Sequence, residues 1–307
     1  MTKVLFIFMD GIGLGLDDPE TNPLARADMP FVQSLLGGQR LTASAAQFES
    51  DTVTLLALDA GLGVEGRPQS ATGQAVLLTG INIPAELGCH YGPKPNAAIR
   101  EFLKDGRNLF SWLRANDKTS ALLNAFPPRY FSAIQSGKRI YSSIPQAVIN
   151  AGISLFSHED FFAGRALSAD FTGLGWREML GFPDAPLRSP LDAGVHLAEL
   201  ASGYDFSMFE YWSSDYAGHK QDMDWALRQM EIFDEVLKGL VGTWNLDEGL
   251  ILVTSDHGNM EDLSTRRHTD AQVPGLVIGS RPDRDAFTAG LTDLTHIAPR
   301  IASAILG

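Results

Sequence analysis

The sequence predicts a three-layer α/β protein in which a mostly parallel central sheet carries helices on both faces. Strand-like and helix-like segments alternate along most of the 307 residues, and strands that are joined through helices form parallel sheets. Some of the strand-like runs are continuously apolar, which is typical of strands that are buried on both faces. The length is sufficient for one large α/β domain with a modest insertion.

The N-terminal half begins with an apolar run over residues 4–9, which predicts a buried strand that ends at Asp10. The rest of this half predicts three helices and a second core strand, at residues 29–36, 71–78, 109–114 and 119–125. The second of these helices begins just after Ser70.

The C-terminal half continues the alternation. An amphipathic stretch over 191–200 and a long helix over 223–241 have apolar residues at helical spacing. Strands are predicted at 206–212, 249–254 and 273–278. A closing helix is predicted over 293–306, interrupted or kinked at Pro299 because proline cannot donate the helical hydrogen bond.

Residues 127–189 do not continue the alternation of strands and helices, since they are rich in proline and aromatic residues and show no strand–helix repeat. We interpret them as a small inserted lid subdomain over the site that is not an independent domain. The predicted core then consists of residues 1–126 and 190–307.

The composition of the chain limits the classes of partner that the protein is expected to bind. The formal net charge of −13 disfavours nucleic acid and anionic membranes, and the pair Arg266–Arg267 is the closest approach to a basic patch. The first apolar run is too short for a membrane span or a signal sequence, so a cytoplasmic protein is expected. Cys89 is the single cysteine, which excludes an intrachain disulfide and a thiolate metal cluster. The sequence sets no oligomeric state.

Aspartate and histidine residues, which can bind metal ions, lie near the predicted ends of strands. They are Asp10 after the first strand, the pair Asp215 and His219 after the strand at 206–212, the pair Asp256 and His257 after the strand at 249–254, and His268 on the loop that follows. Ligand sites of α/β sheets form at the carboxyl ends of strands. Three carboxylates and three imidazoles at one edge would be unstable without cations. Oxygen and nitrogen ligands favour Zn²⁺ or Mn²⁺, and Mg²⁺ is a third candidate.

Each residue has a simpler interpretation by itself. An aspartate after a strand is often a turn or helix-cap residue, and the pair in D-x-x-x-H can be a surface pair on one helix face. A histidine beside two arginines is often a solvated loop residue. The order and spacing of all six favour a metal site.

The motifs resemble those of the alkaline phosphatase superfamily, and most of all the branch that contains cofactor-independent phosphoglycerate mutase and phosphopentomutase. Residues 253–261 read VTSDHGNME and are very similar to the signature of that branch. The D-x-x-x-H pair, Asp10 and His268 match its other ligands. The segment QSATGQ, residues 69–74, resembles its nucleophile element and aligns Ser70 with the nucleophile. The resemblance covers roughly residues 3–126 and 190–307.

The resemblance implies an alkaline phosphatase-like fold and a site for two divalent metal ions. One ion would be held by Asp10, Ser70, Asp256 and His257, and the other by Asp215, His219 and His268. Ser70 would attack a small-molecule phosphate ester and form a phosphoserine. A helix N-terminus behind Ser70 would favour binding of the phosphate, and a plain helix cap is the alternative role for this serine.

The chain also departs from the pattern of that branch. Gln74 stands where the branch usually has histidine, and Thr72 is an alternative nucleophile. The insertion is small, so the chain has fewer means to retain an intermediate while it reorients. We therefore favour a phosphatase over a phosphomutase, with a catalytically silent metal-binding homologue as the third hypothesis. The C/S-x-P-x-R context of a sulfatase is absent around Ser70.

Three residues are candidates for substrate contact. His90 and Lys94 lie in a Gly/Pro-containing segment that follows the nucleophile helix and can line the cleft, although it can equally be a plain connection. The basic residues of the insertion are dispersed without a motif, and Arg129 is the one that we assign to the substrate.

Overall fold

A computed structural model describes residues 2–307. These residues form a seven-stranded sheet and a separate two-stranded sheet. The strands in chain order are β1 Lys3–Met9, β2 Phe48–Glu49, β3 Val53–Leu58, β4 Ser120–Leu122, β5 Ala125–Phe126, β6 Phe156–Ser157, β7 Phe206–Tyr211, β8 Gly249–Thr254 and β9 Val273–Ile278.

Helices occupy the connections between the strands. They are α1 Pro23–Arg26, α2 Pro30–Leu35, α3 Ser70–Thr79, α4 Ile83–Leu87, α5 Ala97–Phe102, α6 Leu109–Ala115, α7 Pro128–Gln135, α8 Ser143–Asn150, α9 His158–Phe162, α10 Leu174–Glu178, α11 Pro190–Ser202, α12 Ser213–Lys220, α13 Met223–Thr243, α14 Arg281–Thr288 and α15 Ile297–Leu306, with 3-10 turns at Ala43–Ala45 and Leu294–His296. Across residues 2–307, no helix has both the length and the apolar character needed to cross a bilayer.

The main sheet has the strand order β2-β3-β9-β8-β1-β7-β4. Strands β4, β7, β1 and β8 are parallel to one another, whereas β9 is antiparallel to both β8 and β3. Strand β3 therefore has the same direction as the parallel group, and only β9 and β2 oppose it. The prediction of a large, mostly parallel central sheet is confirmed.

The side chains of β1 show why the sheet is covered on both faces. Leu5 and Ile7 belong to one buried cluster, which α11 and α13 complete. Phe6 and Phe8 belong to a second cluster on the opposite face, which α3, α8 and α15 complete. A strand with apolar side chains on both faces needs a helical layer on each side. This arrangement confirms the predicted three-layer architecture.

Two predictions for the sheet need correction. The strand predicted over 119–125 is divided, because the side chain of Asn124 bonds the backbone of Glu210 in both directions, at 2.8 and 2.7 Å, and the chain then leaves the sheet. Its first part, β4, is an edge strand and not a core strand. Strand β3 was not predicted. It lies between β2 and β9 in the sheet and follows β2 directly in an antiparallel pair.

The C-terminal segment also differs from its prediction. A 3-10 turn precedes α15, and Pro299 lies in the first turn of this helix. Amide groups in a first turn have no intrahelical acceptor, so proline is tolerated there. The interruption therefore falls at the start of α15 and not at Pro299.

The stretch 127–189 contains four short helices and the two-residue strand β6. Its helix α8 packs against α3, and the hydroxyl of Ser143 donates to the carbonyl of Ala71 at 2.9 Å. A small cluster around Phe161 and Trp176 fills the interior of the remainder. The role of this stretch as a lid stays a prediction.

Candidate metal centre

The predicted ligands follow three adjacent strands of the sheet. Asp10 comes directly after β1, Asp256 comes two residues after β8, and Asp215 lies in the first turn of α12, which follows β7. Because β1 pairs in parallel with both β7 and β8, these strand ends meet at one edge. The sheet therefore brings together carboxylates from three distant parts of the chain.

One ligand group consists of Asp215, His219 and His268, whose candidate ligand atoms all lie within 4.8 Å of one another. His219 Nε2 lies 3.3 Å from Asp215 Oδ2, because the two residues are one helical turn apart on α12. His268 Nε2 lies 3.4 Å from His219 Nε2 and 3.7 Å from Asp215 Oδ1. This group has the composition that the sequence predicted for one metal ion.

The second group consists of Asp10, Asp215 and His257. His257 Nε2 lies 3.4 Å from Asp10 Oδ1, 3.7 Å from Asp256 Oδ2 and 3.0 Å from Ser70 Oγ. The four residues predicted for the other ion are thus close together, and Asp215 lies beside both groups. That position between the two groups was not part of the sequence prediction.

All three histidines direct the same nitrogen towards the centre. The Nδ1 atom of His268 lies 2.9 Å from the carbonyl oxygen of Pro68, that of His219 lies 2.8 Å from the carbonyl of Arg266, and that of His257 lies 3.3 Å from the carbonyl of Gly258. A carbonyl oxygen can only accept, so each Nδ1 donates its proton, and in a neutral ring the Nε2 lone pair is then free for a metal ion. Without a metal ion, the hydrogen bond to Asp215 raises the pKa of His219. Such carbonyl contacts are typical of metal-binding histidines.

The pKa shifts of the group reflect burial and repulsion among its carboxylates. Burial, followed by the charge of Asp215, raises the pKa of Asp256 to about 8. Burial, followed by the charges of Asp256 and Asp215, raises the pKa of Asp10 well above its ordinary value. Burial lowers the pKa of His257 to about 3, so its contact with Asp10 is not an ion pair at pH 7.

Asp215 has the opposite shift. Burial alone would raise its pKa, but the hydrogen bond from His219 and further contacts with His257 and Asn259 lower it to about 2. Asp215 therefore carries a negative charge between the two ligand groups.

Among residues 2–307, two buried carboxylate oxygens, Asp10 Oδ1 and Asp256 Oδ2, have no hydrogen-bond donor. Buried acceptors without a partner are rare, because each costs about 1–3 kcal/mol. Divalent cations between these oxygens and the Nε2 atoms would satisfy both the acceptors and the clustered negative charge. The residues of the site therefore fit divalent metal ions.

Ser70 is the first residue of α3, and its Oγ contacts His257 Nε2 and not the backbone of its own helix. Gln69 occupies the N-cap position and makes no side-chain cap bond. All ten residues of α3 are buried, which agrees with the apolar character of most of its surface. The N-terminus of a buried helix offers backbone amide groups to an anion beside Ser70.

The hydroxyl of Thr72 is engaged elsewhere. It donates to the carbonyl of Gln69 at 3.0 Å and accepts from the amide of Tyr91 at 3.2 Å. The Thr72 side chain is fully buried, and these contacts attach the segment around Tyr91 to the first turn of α3. This geometry favours Ser70 over Thr72 as the nucleophile.

A close approach joins the nucleophile helix to the metal loop. A Cβ atom at Gly73 would lie 2.8 Å from both the Cβ atom and the carbonyl oxygen of Asp256. Only glycine allows helix α3 to pass so near Asp256. The glycine of the sequence motif therefore sets the distance between the nucleophile and this ligand.

Two residues that support the ligands were not singled out from the sequence. Asn259 Nδ2 donates to Asp215 Oδ1 at 2.6 Å, and Glu261 Oε2 accepts from the amides of Gly13 and Asn259 at 2.9 and 2.7 Å. Glu261 also accepts from the hydroxyl of Thr269. Both residues belong to the motif VTSDHGNME, so their presence there was the available signal, but two of their partners, Asp215 and Gly13, lie far away in the chain.

The candidate substrate residues occupy different surroundings. His90 lines a cavity beside His219 and His268, and its Nε2 atom is buried without a partner. Lys94 is half-buried, and burial together with the charge of Arg139 lowers its pKa, while the charges of Glu210 and Asp10 raise it. Arg129 is exposed on α7. Among residues 2–307, no hydrogen bond or ion pair connects Arg129 to the ligands.

Gln74, which replaces the histidine of the family pattern, lies beside Asp10. Its Nε2 is 3.5 Å from Asp10 Oδ2, and its Oε1 is buried without a partner among residues 2–307.

Glu210 on β7 was also not predicted as part of this region. Burial raises the pKa of Glu210 to about 7, while the charges of Lys94 and Arg139 oppose the rise.

The raised pKa values predict how the metal-free protein responds to pH. The folded state binds protons at Asp256 and Asp10 more tightly than the unfolded state, so the free energy of unfolding falls as pH rises from about 4 to about 8. Asp256→Asn removes one ionisation and keeps an acceptor for the amide of Gly11. In EDTA at pH 8, we expect the free energy of unfolding of this variant to exceed that of the wild type by on the order of 2 kcal/mol or more.

Urea unfolding at pH 5 and pH 8 measures this effect, with the exposed carboxylate variant Asp247→Asn as the control. The advantage of Asp256→Asn should shrink at pH 5, and saturating Mn²⁺ should reverse it because the ion stabilises the wild type. An equal difference at both pH values would contradict the prediction.

The sequence comparisons relate this chain to metalloenzymes. The family model described as Metalloenzyme superfamily matches residues 192–306. The 2,3-bisphosphoglycerate-independent phosphoglycerate mutase of Yersinia pestis (strain Pestoides F) is 29% identical over 115 residues, which are 35% of this chain and 22% of that protein. The protein of the same name from Roseobacter denitrificans (strain ATCC 33942 / OCh 114) is 32% identical over 126 residues, 39% of this chain and 24% of the relative. The chain thus matches less than a quarter of the length of these curated relatives.

The structural comparisons cover nearly the whole chain. The PH0037 protein from Pyrococcus horikoshii has a TM-score of 0.55 and 16% identity, over 99% of this chain and 97% of that chain. The alkaline phosphatase from the Antarctic bacterium TAB5 has a TM-score of 0.55 and 12% identity, with the same coverage of 99% and 97%. At these identities the similarity supports the fold, which is alkaline phosphatase-like.

Proposed function

We propose that this chain, a metalloenzyme of the alkaline phosphatase superfamily, is a metal-dependent phosphate-ester hydrolase that acts through a phosphoserine at Ser70. The observation that carries the proposal is the position of Ser70 Oγ, 3.0 Å from His257 Nε2 at the N-terminus of a buried helix. The substrate would be a small molecule.

The proposed site holds two divalent ions, Mn²⁺ or Zn²⁺, with Mg²⁺ as a third candidate. Asp215, His219 and His268 would hold one ion, and Asp10, Asp256, His257 and Ser70 the other, with Asp215 close to both. Bound ions would supply Lewis acidity, lowering the pKa of the serine hydroxyl and neutralising charge on the phosphoryl group.

The residues of the chain would perform the remaining steps. Ser70 Oγ forms a bond to phosphorus while the bond from phosphorus to the ester oxygen breaks, and the leaving group departs as an alcohol. Water then attacks phosphorus, which releases inorganic phosphate and restores the Ser70 hydroxyl. Backbone amides at the start of α3 would bind the phosphoryl oxygens, and Lys94 lies near Asp10 to add a positive charge.

Hydrolysis is favoured because water can reach the site. The cavity beside His219 and His268 is bordered by the exposed residues Tyr91, Arg266 and Arg267. A mutase must keep its phosphoryl group from water while the intermediate reorients. The names of the sequence relatives favour a phosphomutase as the second candidate. A catalytically silent homologue is less favoured, since every ligand position and Ser70 hold a competent residue.

The test is phosphate release from a panel of sugar phosphates, nucleotides and an aryl phosphate, using protein that has been stripped of metal and reloaded with Mn²⁺ or Zn²⁺. We expect metal-dependent release from at least one class of substrate. Isomerised sugar phosphate without release would favour the mutase. Two bound metal ions with no product of either kind would contradict both enzymatic proposals.

A further inference from the structure

A cavity of about 660 Å³ lies beside the ligand group of Asp215, His219 and His268. Its walls include His219 and His268, as well as Gln69, the neighbour of the nucleophile. A cavity of this size is sufficient for a ligand such as a sugar phosphate. A substrate whose phosphoryl group is held at Ser70 would therefore extend its remaining part into this cavity.

Three arginines line the same cavity, namely Arg67, Arg266 and Arg267. Glu65 is the one acidic residue among the lining residues, although the whole chain has a net charge of −13. The cavity therefore combines positive side chains in a protein whose surface is otherwise acidic. Such a local reversal of charge favours an anionic ligand.

The guanidinium groups are available for a ligand. Within residues 2–307, no carboxylate forms an ion pair with any of the three, and the side chains of Arg67 and Arg267 make no hydrogen bond. The Nε atom of Arg266 donates to Gln221 Oε1 at 2.9 Å, which orients this side chain. A guanidinium binds phosphate or carboxylate through paired N–H donors.

The backbone couples each arginine to a ligand histidine. Pro68, which follows Arg67, accepts from His268 Nδ1, and the carbonyl of Arg266 accepts from His219 Nδ1. Arg267 directly precedes His268. The segments that carry the arginines are therefore held against the metal centre and not on independent loops.

We propose that Arg67, Arg266 and Arg267 bind a second anionic group of the substrate, a phosphate or a carboxylate on its leaving-group part. This inference rests on the proposed hydrolase function and specifies its substrate class. Metal ions would neutralise the reacting phosphoryl group, and the arginines would select for the second anion.

The first test compares three phosphate esters: glycerol 3-phosphate, 3-phosphoglycerate and fructose 1,6-bisphosphate. The leaving group is neutral in the first, carries a carboxylate in the second and a phosphate in the third. We expect KM to be about 10- to 100-fold lower for an ester with a second anion. The double variant Arg67→Ala/Arg267→Ala should remove this preference, because it should raise KM about 10-fold or more for the two esters with a second anion and by less for glycerol 3-phosphate.

Arg228→Ala is the matched control, because Arg228 is exposed on α13 and does not line the cavity. It should leave all three KM values unchanged. The double variant should raise KM more for one of the two esters, 3-phosphoglycerate or fructose 1,6-bisphosphate, and that ester carries the anion that the arginines prefer. Equal KM values for the three esters in the wild type, or an equal loss for all three in the double variant, would overturn the inference.

A binding measurement separates this inference from the proposed function. Ser70→Ala protein is titrated calorimetrically with fructose 1,6-bisphosphate and with fructose 6-phosphate. We expect tighter binding of the bisphosphate, and the added changes Arg67→Ala/Arg267→Ala should weaken that binding about 10-fold or more. This result would support the arginine site even if no ester were hydrolysed. Equal affinity for the two sugars would overturn it even in an active phosphatase.

Discussion

Ser70→Ala is expected to lower kcat for phosphate release by about a thousandfold or more. The variant lacks the oxygen that lies 3.0 Å from His257 Nε2, so no covalent intermediate can form. Acid-quenched wild-type enzyme should carry one phosphoryl group on the peptide containing Ser70, and the variant should carry none. Phosphate release and mass spectrometry of the quenched protein measure the two effects.

Thr72→Val is the matched control, because Thr72 lies two residues away on the same helix and was the alternative nucleophile. Its hydroxyl is held by Gln69 and Tyr91, so its loss should reduce stability by about 1–2 kcal/mol and leave the phosphoserine intact. A phosphoryl group that remains in Ser70→Ala and disappears in Thr72→Val would transfer the nucleophile role to Thr72.

Asp215→Asn is expected to weaken the binding of both metal ions by at least about a hundredfold each. Asp215 belongs to both ligand groups, and the contacts that surround it keep its carboxylate ionised. The asparagine can still accept from Asn259 Nδ2, so the loops should keep their positions. Metal content after dialysis and calorimetric titration with Mn²⁺ would measure the loss.

His219→Ala provides the contrast, since His219 belongs to one group alone. We expect this variant to lose one ion and retain the other, with most activity lost in both variants. Circular dichroism should report an unchanged fold in each case. Retention of both ions in Asp215→Asn, or loss of both in His219→Ala, would contradict the shared position of Asp215.

Several elements could be predicted because their signals are local. Strands β8 and β9 have the predicted bounds, since each is a continuous apolar run between polar segments. Helix α3 begins at Ser70, one residue earlier than predicted, and ends one residue later than predicted. Strand β3 was missed because it follows β2 in an antiparallel pair and so lies outside the alternation of strands and helices. Strand β4 was too long in the prediction because Asn124 ends it through a side-chain contact with β7.

The candidate ligands could also be predicted, whereas their mutual arrangement could not. Asp10, Asp215 and Asp256 were predicted to meet because the carboxyl ends of strands share one edge. The sequence does not show which carboxylate lies between the two groups. The strand order β8-β1-β7 puts Asp10 on the middle strand, and it is the path of α12 that brings Asp215 beside both groups.

The sequence by itself determined the fold class and the chemical types at the site, since apolar periodicity and motif spacing depend on neighbouring residues. The tertiary structure decided the tautomers of His219 and His268, because their carbonyl partners, Arg266 and Pro68, are 47 and 200 positions away and meet them only in the folded chain. It also decided that Arg67 borders the same cavity as Arg266 and Arg267. Such contacts depend on how the connections cross between strands, and local patterns contain no information on that.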